Sequence, residues 1–340
     1  MFKDKPTAQT TPAHLWSFIG NSQMIRVFYR YQDGPEQQVL VKCEQFNLTG
    51  SIKDRMALYI LQKAKENGGL QPGDMIIEAT SGNTGIALAA IGRALGHPVK
   101  IIMPDWMSRE RIELIKSYGA EIQLVSAAGG GFKGCIALAE KMAHYDQVFL
   151  PRQFENKYNA EAQEKTTGRE IGHTLLLHEI KPDAFIAGVG TGGTIMGVGK
   201  YLRTLYPYIR LHPLEPAESP TLSTGYKVGS HRIQGISDEF IPAILDLKNL
   251  DRVVQVNDGD AILMAQKLAG IGLGVGISSG ANLAGAIKIQ QENGFKPVVV
   301  TVFPDSNKKY LTTDLTRNEP LREGYISPAI RLLRFETLDK

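Results

Sequence analysis

The sequence predicts an α/β protein in which a parallel sheet is covered by helices. Two observations carry this reading: short β-branched runs alternate with longer segments of helical period, and several helical segments open at turns rich in small residues. With 340 residues the chain is long enough for a large core, as two domains or as one domain with a mobile lobe.

The elements follow in order. VLVKCEQF reads as a strand, DRMALYILQKAKENG as a helix, DMIIEAT as a buried strand, NTGIALAAIGRALG as a helix, VKIIMP as a strand and SRERIELIKSYG as a helix. The alternation resumes with EIQLVSA, a helix near GFKGCIALAEKMAHY, and QVFLP. A helix near NAEAQEKTTGREIGHTLLLHE leads to AFIAGV, the helix TGGTIMGVGKYLRTL and the strand IRLHPLEP. After VVQVND come the helix DAILMAQKLAG, the turn GISSGAN opening another helix, and the strand PVVVTVFPD.

Two stretches break the rhythm. Residues 216–242, rich in Gly, Ser and Pro, are too long for an ordinary connection and read as a functional or disordered loop. The last ~25 residues carry mixed charge without a strong period, so no chemistry is assigned to them.

Composition excludes several classes. Lys and Arg exceed Asp and Glu by only three, so nothing calls for nucleic acid, and no window reaches the apolar length of a membrane span. Cys43 and Cys135 show no metal or disulfide spacing, which fits a reducing, cytoplasmic setting and no metal site. The N-terminus lacks the apolar core of an export signal.

Three small-residue turns are candidates for ligand binding. GVGTGGT, Gly188 to Thr194, follows a strand and opens a helix, where close backbone approach and unpaired N–H groups suit a phosphate. Gly188, Gly190 and Gly193 also satisfy a dinucleotide pattern, and Glu215 stands near the position of a ribose-binding carboxylate. A plain tight turn is the third reading.

EATSGNTG crowds Thr80, Ser81, Asn83 and Thr84 onto a turn and the start of a helix. One such residue suffices as a cap, so the surplus suits a carboxylate and a ring hydroxyl, although capping alone stays open. In GISSGAN, Ser278 or Ser279 could meet a ligand or cap a helix.

A lone lysine is usually solvated. Lys53, in NLTGSIKDR, instead falls in the first turn of a helix whose apolar face holds Met56, Ala57, Ile60 and Leu61. The helix dipole disfavours a cation there, so a lysine at this position could be held deprotonated, as imine chemistry requires.

With NLTGSIKDR, EATSGNTGIALA, RQFEN, TTGREI, GVGTGGTIMG, EPAESPTL, IQGIS, GISSGAN and VTVFPDSNKKYL in this order, the chain resembles the cysteine synthase and cystathionine β-synthase family, the fold type II pyridoxal-phosphate enzymes. The resemblance implies two open twisted sheets flanked by helices, in a tryptophan synthase β-like architecture. It implies a large cofactor-binding domain, 1–47 with 155–340, and a smaller, partly mobile domain, 48–154, carrying the Schiff-base lysine and the substrate loop.

It also implies roles. Lys53 matches the lysine holding pyridoxal 5'-phosphate as an internal aldimine, and Asn83 matches the amide on the ring hydroxyl. Gly190, Thr191, Gly192, Gly193 and Thr194 match the phosphate cradle, and Ser278 the hydroxyl facing the pyridine nitrogen. Thr80, Ser81, Thr84 and Gln153 would bind the substrate carboxylate.

The implied reaction is β-replacement through an aminoacrylate on a serine- or cysteine-derived amino acid, with sulfide or a thiol as acceptor, most simply O-acetylserine plus sulfide giving cysteine. A homodimer belongs to the same implication. The alternatives are cystathionine β-synthase-like or cysteine β-replacement with an amino-acid thiol, a nicotinamide dehydrogenase built on GVGTGGT and Glu215, and a non-catalytic homologue.

The chain departs from the family at Leu48, where a proline is usual, at IGNSQ (19–23), at Arg169 in TTGREI, and at QFENKYNAEAQ. GISDEFIP brings Asp238 and Glu239 to a loop that by resemblance borders the substrate entrance, where they would recognise the ammonium of a second amino acid or be merely solvated. SPAIRLLRFETLDK is a candidate packing element at a dimer contact.

Overall fold

The computed structural model describes residues 10–80, 82–237 and 239–338. In chain order the elements begin α1 (Pro12–Leu15), β1 (Met24–Tyr31), β2 (Glu36–Cys43), α2 (Lys53–Glu66), β3 (Met75–Ala79), α3 (Asn83–Ala94), β4 (Val99–Pro104) and α4 (Arg109–Ser117). They continue with β5 (Glu121–Val125), α5 (Gly131–Met142), β6 (Val148–Phe149), α6 (Lys157–Gln163), α7 (Arg169–Leu177), β7 (Ala184–Gly188), α8 (Gly193–Leu205) and β8 (Arg210–Pro216). The last are α9 (Thr221–Thr224), β9 (Val254–Val256), α10 (Asp258–Gly270), α11 (Ile277–Glu292), β10 (Val299–Phe303) and β11 (Ile330–Leu338).

The chain divides into two compact units, one from the described part of Met1–Gly20 with Asn47–Asn159, the other from Asn21–Phe46 with Ala160–Lys340. The first unit holds a four-stranded parallel sheet in the order β5-β4-β3-β6. Side chains alternate across it: Ile76, Ile101 and Met103 join α2 and α3 in one core, while Ile77, Ala79 and Ile102 join Cys135 and Ala139 of α5 in another. Strands buried on both faces explain the near-continuous apolar runs in the sequence.

The second unit holds a seven-stranded sheet in the order β11-β1-β2-β10-β7-β8-β9. From β2 to β9 the neighbours are parallel, and β11, β1 and β2 pair antiparallel. Ala184 and Ile186 of β7 face α10 and α11, and Phe185 and Ala187 face α8. The α/β fold with two helix-flanked sheets is therefore as expected.

Three local features differ from the expectation. MIRVFYRY forms β1, although Arg26 and Arg30 interrupt its apolar pattern. IRLLRFETL within the C-terminal extension is a nine-residue strand, β11, pairing with β1 of its own chain. Arg334 stacks on Phe28 at 3.9 Å and pairs with Glu36 at 2.9 Å, so mixed charge there is sheet-edge chemistry. GISSGAN follows a single bridge residue, Val275, and not a strand.

A buried ion pair ties the divergent IGNSQ segment to TTGREI. Lys42, 1% exposed, stands 2.7 Å from Glu170 and donates to the Ser22 carbonyl at 2.6 Å, while Asn21 N–H donates to Glu170 at 2.9 Å. Lys42→Met removes the ammonium from both acceptors and is expected to lower unfolding free energy by about 2–3 kcal/mol, since breaking a buried pair costs more than its net value. Urea unfolding checks this, and a loss under ~0.5 kcal/mol would contradict the assigned role. No helix among the described residues is long and apolar enough to cross a membrane.

Candidate active site

In the first unit the segment NLTGSIKDR closes on itself. Asp54, fully buried, accepts the Thr49 N–H at 2.6 Å and the Thr49 hydroxyl, and Ser51 Oγ accepts the Lys53 N–H at 3.3 Å. Gly50 takes a φ of +78°, a conformation that favours glycine. The result places Lys53, half-buried, as the first residue of α2, with Met56, Ala57, Ile60 and Leu61 buried behind it.

The turn after β3 resolves the question of surplus polar groups in TSGNTG. Gly82 stands at the N-cap of α3 and no side chain caps the helix, so simple capping does not account for these residues. Thr80 Oγ1 accepts the Gly82 N–H at 3.2 Å, and Thr84 donates its hydroxyl to Gln153 Oε1 at 2.6 Å. Asn83 opens the helix, and Ser81 lies outside the described residues.

Gln153 is held at four atoms. Its N–H donates to Glu78 at 3.2 Å, its carbonyl accepts from Asn159 at 2.8 Å, its Nε2 donates to the Ala79 carbonyl at 3.1 Å, and its Oε1 accepts from Thr84. Because a carbonyl can only accept, the Ala79 bond fixes which amide atom is nitrogen. Thr84 therefore spends its only proton on Gln153, while one Nε2 proton remains for a ligand acceptor. Arg152, at φ +53°, supplies the backbone turn just before this residue.

In the second unit GVGTGGT joins β7 to α8. Gly192, at φ +85°, is the N-cap of a thirteen-residue helix that no side chain caps. A Cβ on Gly190 would lie 2.4 Å from the Gly235 carbonyl, so only glycine lets the two loops meet. Thr191 is buried beside Gly193, whose N–H points at its hydroxyl over 3.4 Å, and Thr194 lies in the first turn. Uncapped N–H groups at the head of a long helix suit a phosphate.

GISSGAN contributes three polar residues to this unit. Ser278 is 4% exposed, and the buried Ser279 Oγ has no partner among the described residues. Asn282, one helical turn after Ser278, accepts the Gly188 N–H at 2.8 Å and donates to the Val302 carbonyl at 2.8 Å, tying the glycine loop to β10. The sequence reading missed Asn282, although its spacing of four from Ser278 was a signal.

The 216–242 loop is ordered over its described residues. Glu215, fully buried, accepts the Leu222 N–H at 2.7 Å, the Ser223 hydroxyl at 2.5 Å and Gln255 Nε2 at 3.1 Å. A ribose cannot use a carboxylate so occupied, which removes the key support for a dinucleotide reading. Arg232 anchors the loop through Asp258 at 2.7 Å and Glu319 at 2.7 Å. Ser237 N–H donates to the Val189 carbonyl at 2.7 Å, and His231 Nε2 donates to the Ser237 carbonyl at 3.0 Å. Burial lowers the His231 pKa and favours the neutral ring. Glu239 pairs with Lys227 at 2.8 Å, and Asp238 lies outside the described residues.

Taken each by itself, the glycine-lined helix start of the second unit suits the phosphate of pyridoxal phosphate and its buried serine a ring nitrogen, while the first-turn lysine of the first unit suits an aldehyde, and the class these residues point to is a pyridoxal-phosphate enzyme. Residues 15–305 match the family described as pyridoxal-phosphate dependent enzyme, and the chain belongs to that family. It is 40% identical over 314 residues to a cysteine synthase of Staphylococcus aureus, covering 91% of this chain and 98% of that protein. It is 42% identical over 309 residues to a probable cysteine synthase of Bacillus subtilis, covering 89% and 97%.

A solved hydrogen sulfide-producing enzyme of Fusobacterium nucleatum shares 52% identity and a TM-score of 0.93, covering 96% of this chain and 98% of that one. A mutant of that enzyme has been solved with an α-aminoacrylate intermediate. The present chain is thus a pyridoxal-phosphate-dependent enzyme of the fold type II class.

Proposed function

We propose that the enzyme replaces the β-substituent of a serine- or cysteine-derived amino acid with a sulfur nucleophile. The observation that carries this reading is Lys53 at the first residue of α2, in a chain that keeps the family's motifs and is similar to cysteine synthases over most of its length. Pyridoxal phosphate, when bound, supplies an electron sink for charge developing at the donor's Cα.

In the first unit, Lys53 would hold the cofactor and its amine would take the donor's Cα proton, and Asn83 would meet the ring hydroxyl. Gln153, Thr80 and Ser81 receive the donor carboxylate, with Thr84 acting through Gln153. From the second unit, Gly190 to Thr194 hold the phosphate, and Ser278 offers the ring nitrogen a neutral hydrogen bond. A neutral partner of this kind would not hold the ring nitrogen protonated as an aspartate would. These roles correspond to a larger cofactor-holding domain and a smaller, partly mobile one.

A second reading concerns the donor. Similarity to a hydrogen sulfide-producing enzyme, together with Asp238 and Glu239 in place of small uncharged residues, supports cysteine as donor, sulfide as leaving group and an amino-acid thiol as acceptor. The two carboxylates would meet the acceptor's ammonium, Glu239 by exchanging Lys227 for it.

The test is a matrix of O-acetylserine, O-phosphoserine, serine and cysteine against sulfide, homocysteine and cysteine, with products identified by mass. Thioether or cysteine formation is expected, and preference for cysteine with release of sulfide would select the second reading. Absence of any β-replaced product, with cofactor bound, would sink both. Asp238→Asn with Glu239→Gln should lower selectivity for amino-acid thiols over sulfide; an unchanged preference removes the acidic loop from acceptor recognition.

A further inference from the structure

Glu78 is the only charged side chain in the strand MIIEA, and it is 4% exposed. Its Oε1 accepts the Ala79 N–H at 3.0 Å and its Oε2 the Gln153 N–H at 3.2 Å. The Gln153 side chain returns to the same strand end by donating to the Ala79 carbonyl. Glu78, Ala79 and Gln153 therefore form a closed ring of hydrogen bonds, and the Thr84 hydroxyl fixes its outer amide oxygen.

We propose that Glu78 is the positioning residue of the amino-acid subsite: by accepting two main-chain N–H groups it aims the Gln153 amide, with one Nε2 proton left over, at the donor carboxylate. This rests on the proposed role of Gln153. A buried carboxylate is costly, and an apolar residue would pack in a strand core without that cost. The two N–H donors meet different oxygens of Glu78, and a neutral amide in the same place would turn its NH2 group toward one of them.

Burial pushes the Glu78 pKa up to about 8, although both N–H bonds pull it down. The charged groups around it do little to offset this. Glu140 of α5 and Arg152, the two charges that act on it, pair with each other at 2.7 Å. Ionised Glu78, above about pH 8, accepts both N–H groups, whereas the protonated form presents one good acceptor. Donor binding should therefore strengthen as pH rises through that value.

The experiment compares holoenzyme with Glu78→Gln, using L-alanine, which lacks a leaving group, and reading its Kd from the change in cofactor absorbance. At high pH the variant is expected to bind L-alanine about tenfold or more weakly, the effect of losing one hydrogen bond to a charged group, with cofactor affinity unchanged. The ratio of the two Kd values should rise through pH 8, because titration of the amino acid itself cancels in the ratio.

If Glu78→Gln does not fold, Gln153→Leu takes its place: without the amide, ionisation of Glu78 has nothing to aim, so its Kd ratio to wild type should carry the same rise. A flat ratio, a Kd within twofold at every pH, or an equal loss of cofactor affinity overturns the proposal. Failure of wild-type enzyme to respond to any amino acid would instead overturn the proposed function.

Discussion

Lys53→Ala is expected to lower kcat/KM by at least about 10³-fold while the protein stays folded, since both the covalent attachment and the acid–base group are lost. Lys53 is half-buried at the start of α2, and hydrogen bonds between Asp54 and Thr49 close the turn before it. Removing the amine therefore leaves the local backbone supported. Borohydride reduction of wild-type enzyme should fix the cofactor's mass on the peptide containing Lys53, and on no peptide of the variant. Activity within tenfold of wild type, or label on another lysine, would reassign the role.

Gly190→Ala is the second large effect. The new methyl would sit 2.4 Å from the Gly235 carbonyl, a backbone atom that cannot rotate away. Gly235, at φ +92°, and Ser237, at φ +55° with its N–H bonded to the Val189 carbonyl, leave that segment little freedom to retreat. Overpacking of this kind costs about 1–3 kcal/mol, and the glycine loop must shift.

Cofactor affinity is expected to fall by at least about tenfold, because phosphate binding at a helix start depends on where the N–H groups point. Gly270→Ala is the control, since nothing lies within 4 Å of its new methyl. Equal cofactor affinity in both variants would show that GVGTGGT does not hold the phosphate.

The fold was legible where burial imposed a period. β3, β4, β7 and β10 are buried on both faces and appear as apolar runs, and α2 and α8 show an apolar face. β11 was not legible. Only Ile330 and Leu338, at its two ends, are buried, so an edge strand with most of its side chains exposed leaves no alternation to detect. β1 was obscured in the same way by Arg26 and Arg30.

The candidate site shows the same division. Residue types at helix-opening turns marked TSGNTG, GVGTGGT and GISSGAN as candidates, because close backbone approach and uncapped N–H groups demand small residues locally, and the family resemblance then singled out Lys53, Asn83, Gly190 to Thr194 and Ser278. Whether TSGNTG was a cap, and whether Glu215 was free for a ribose, depended on partners far along the chain: Gln153 for Thr84, and Gln255 for Glu215.

By itself the sequence determined the α/β class, the order of the glycine-bearing turns and the lysine in the first turn of α2, all of which follow from short-range periodicity and backbone sterics. Only tertiary structure decided which polar groups are already spent. It turned Thr84 toward Gln153, enclosed Glu215 within its own loop, and made Glu78 a buried acceptor for two N–H groups. Hydrogen-bond partners are set by proximity in space, which the spacing of residues along one chain does not encode.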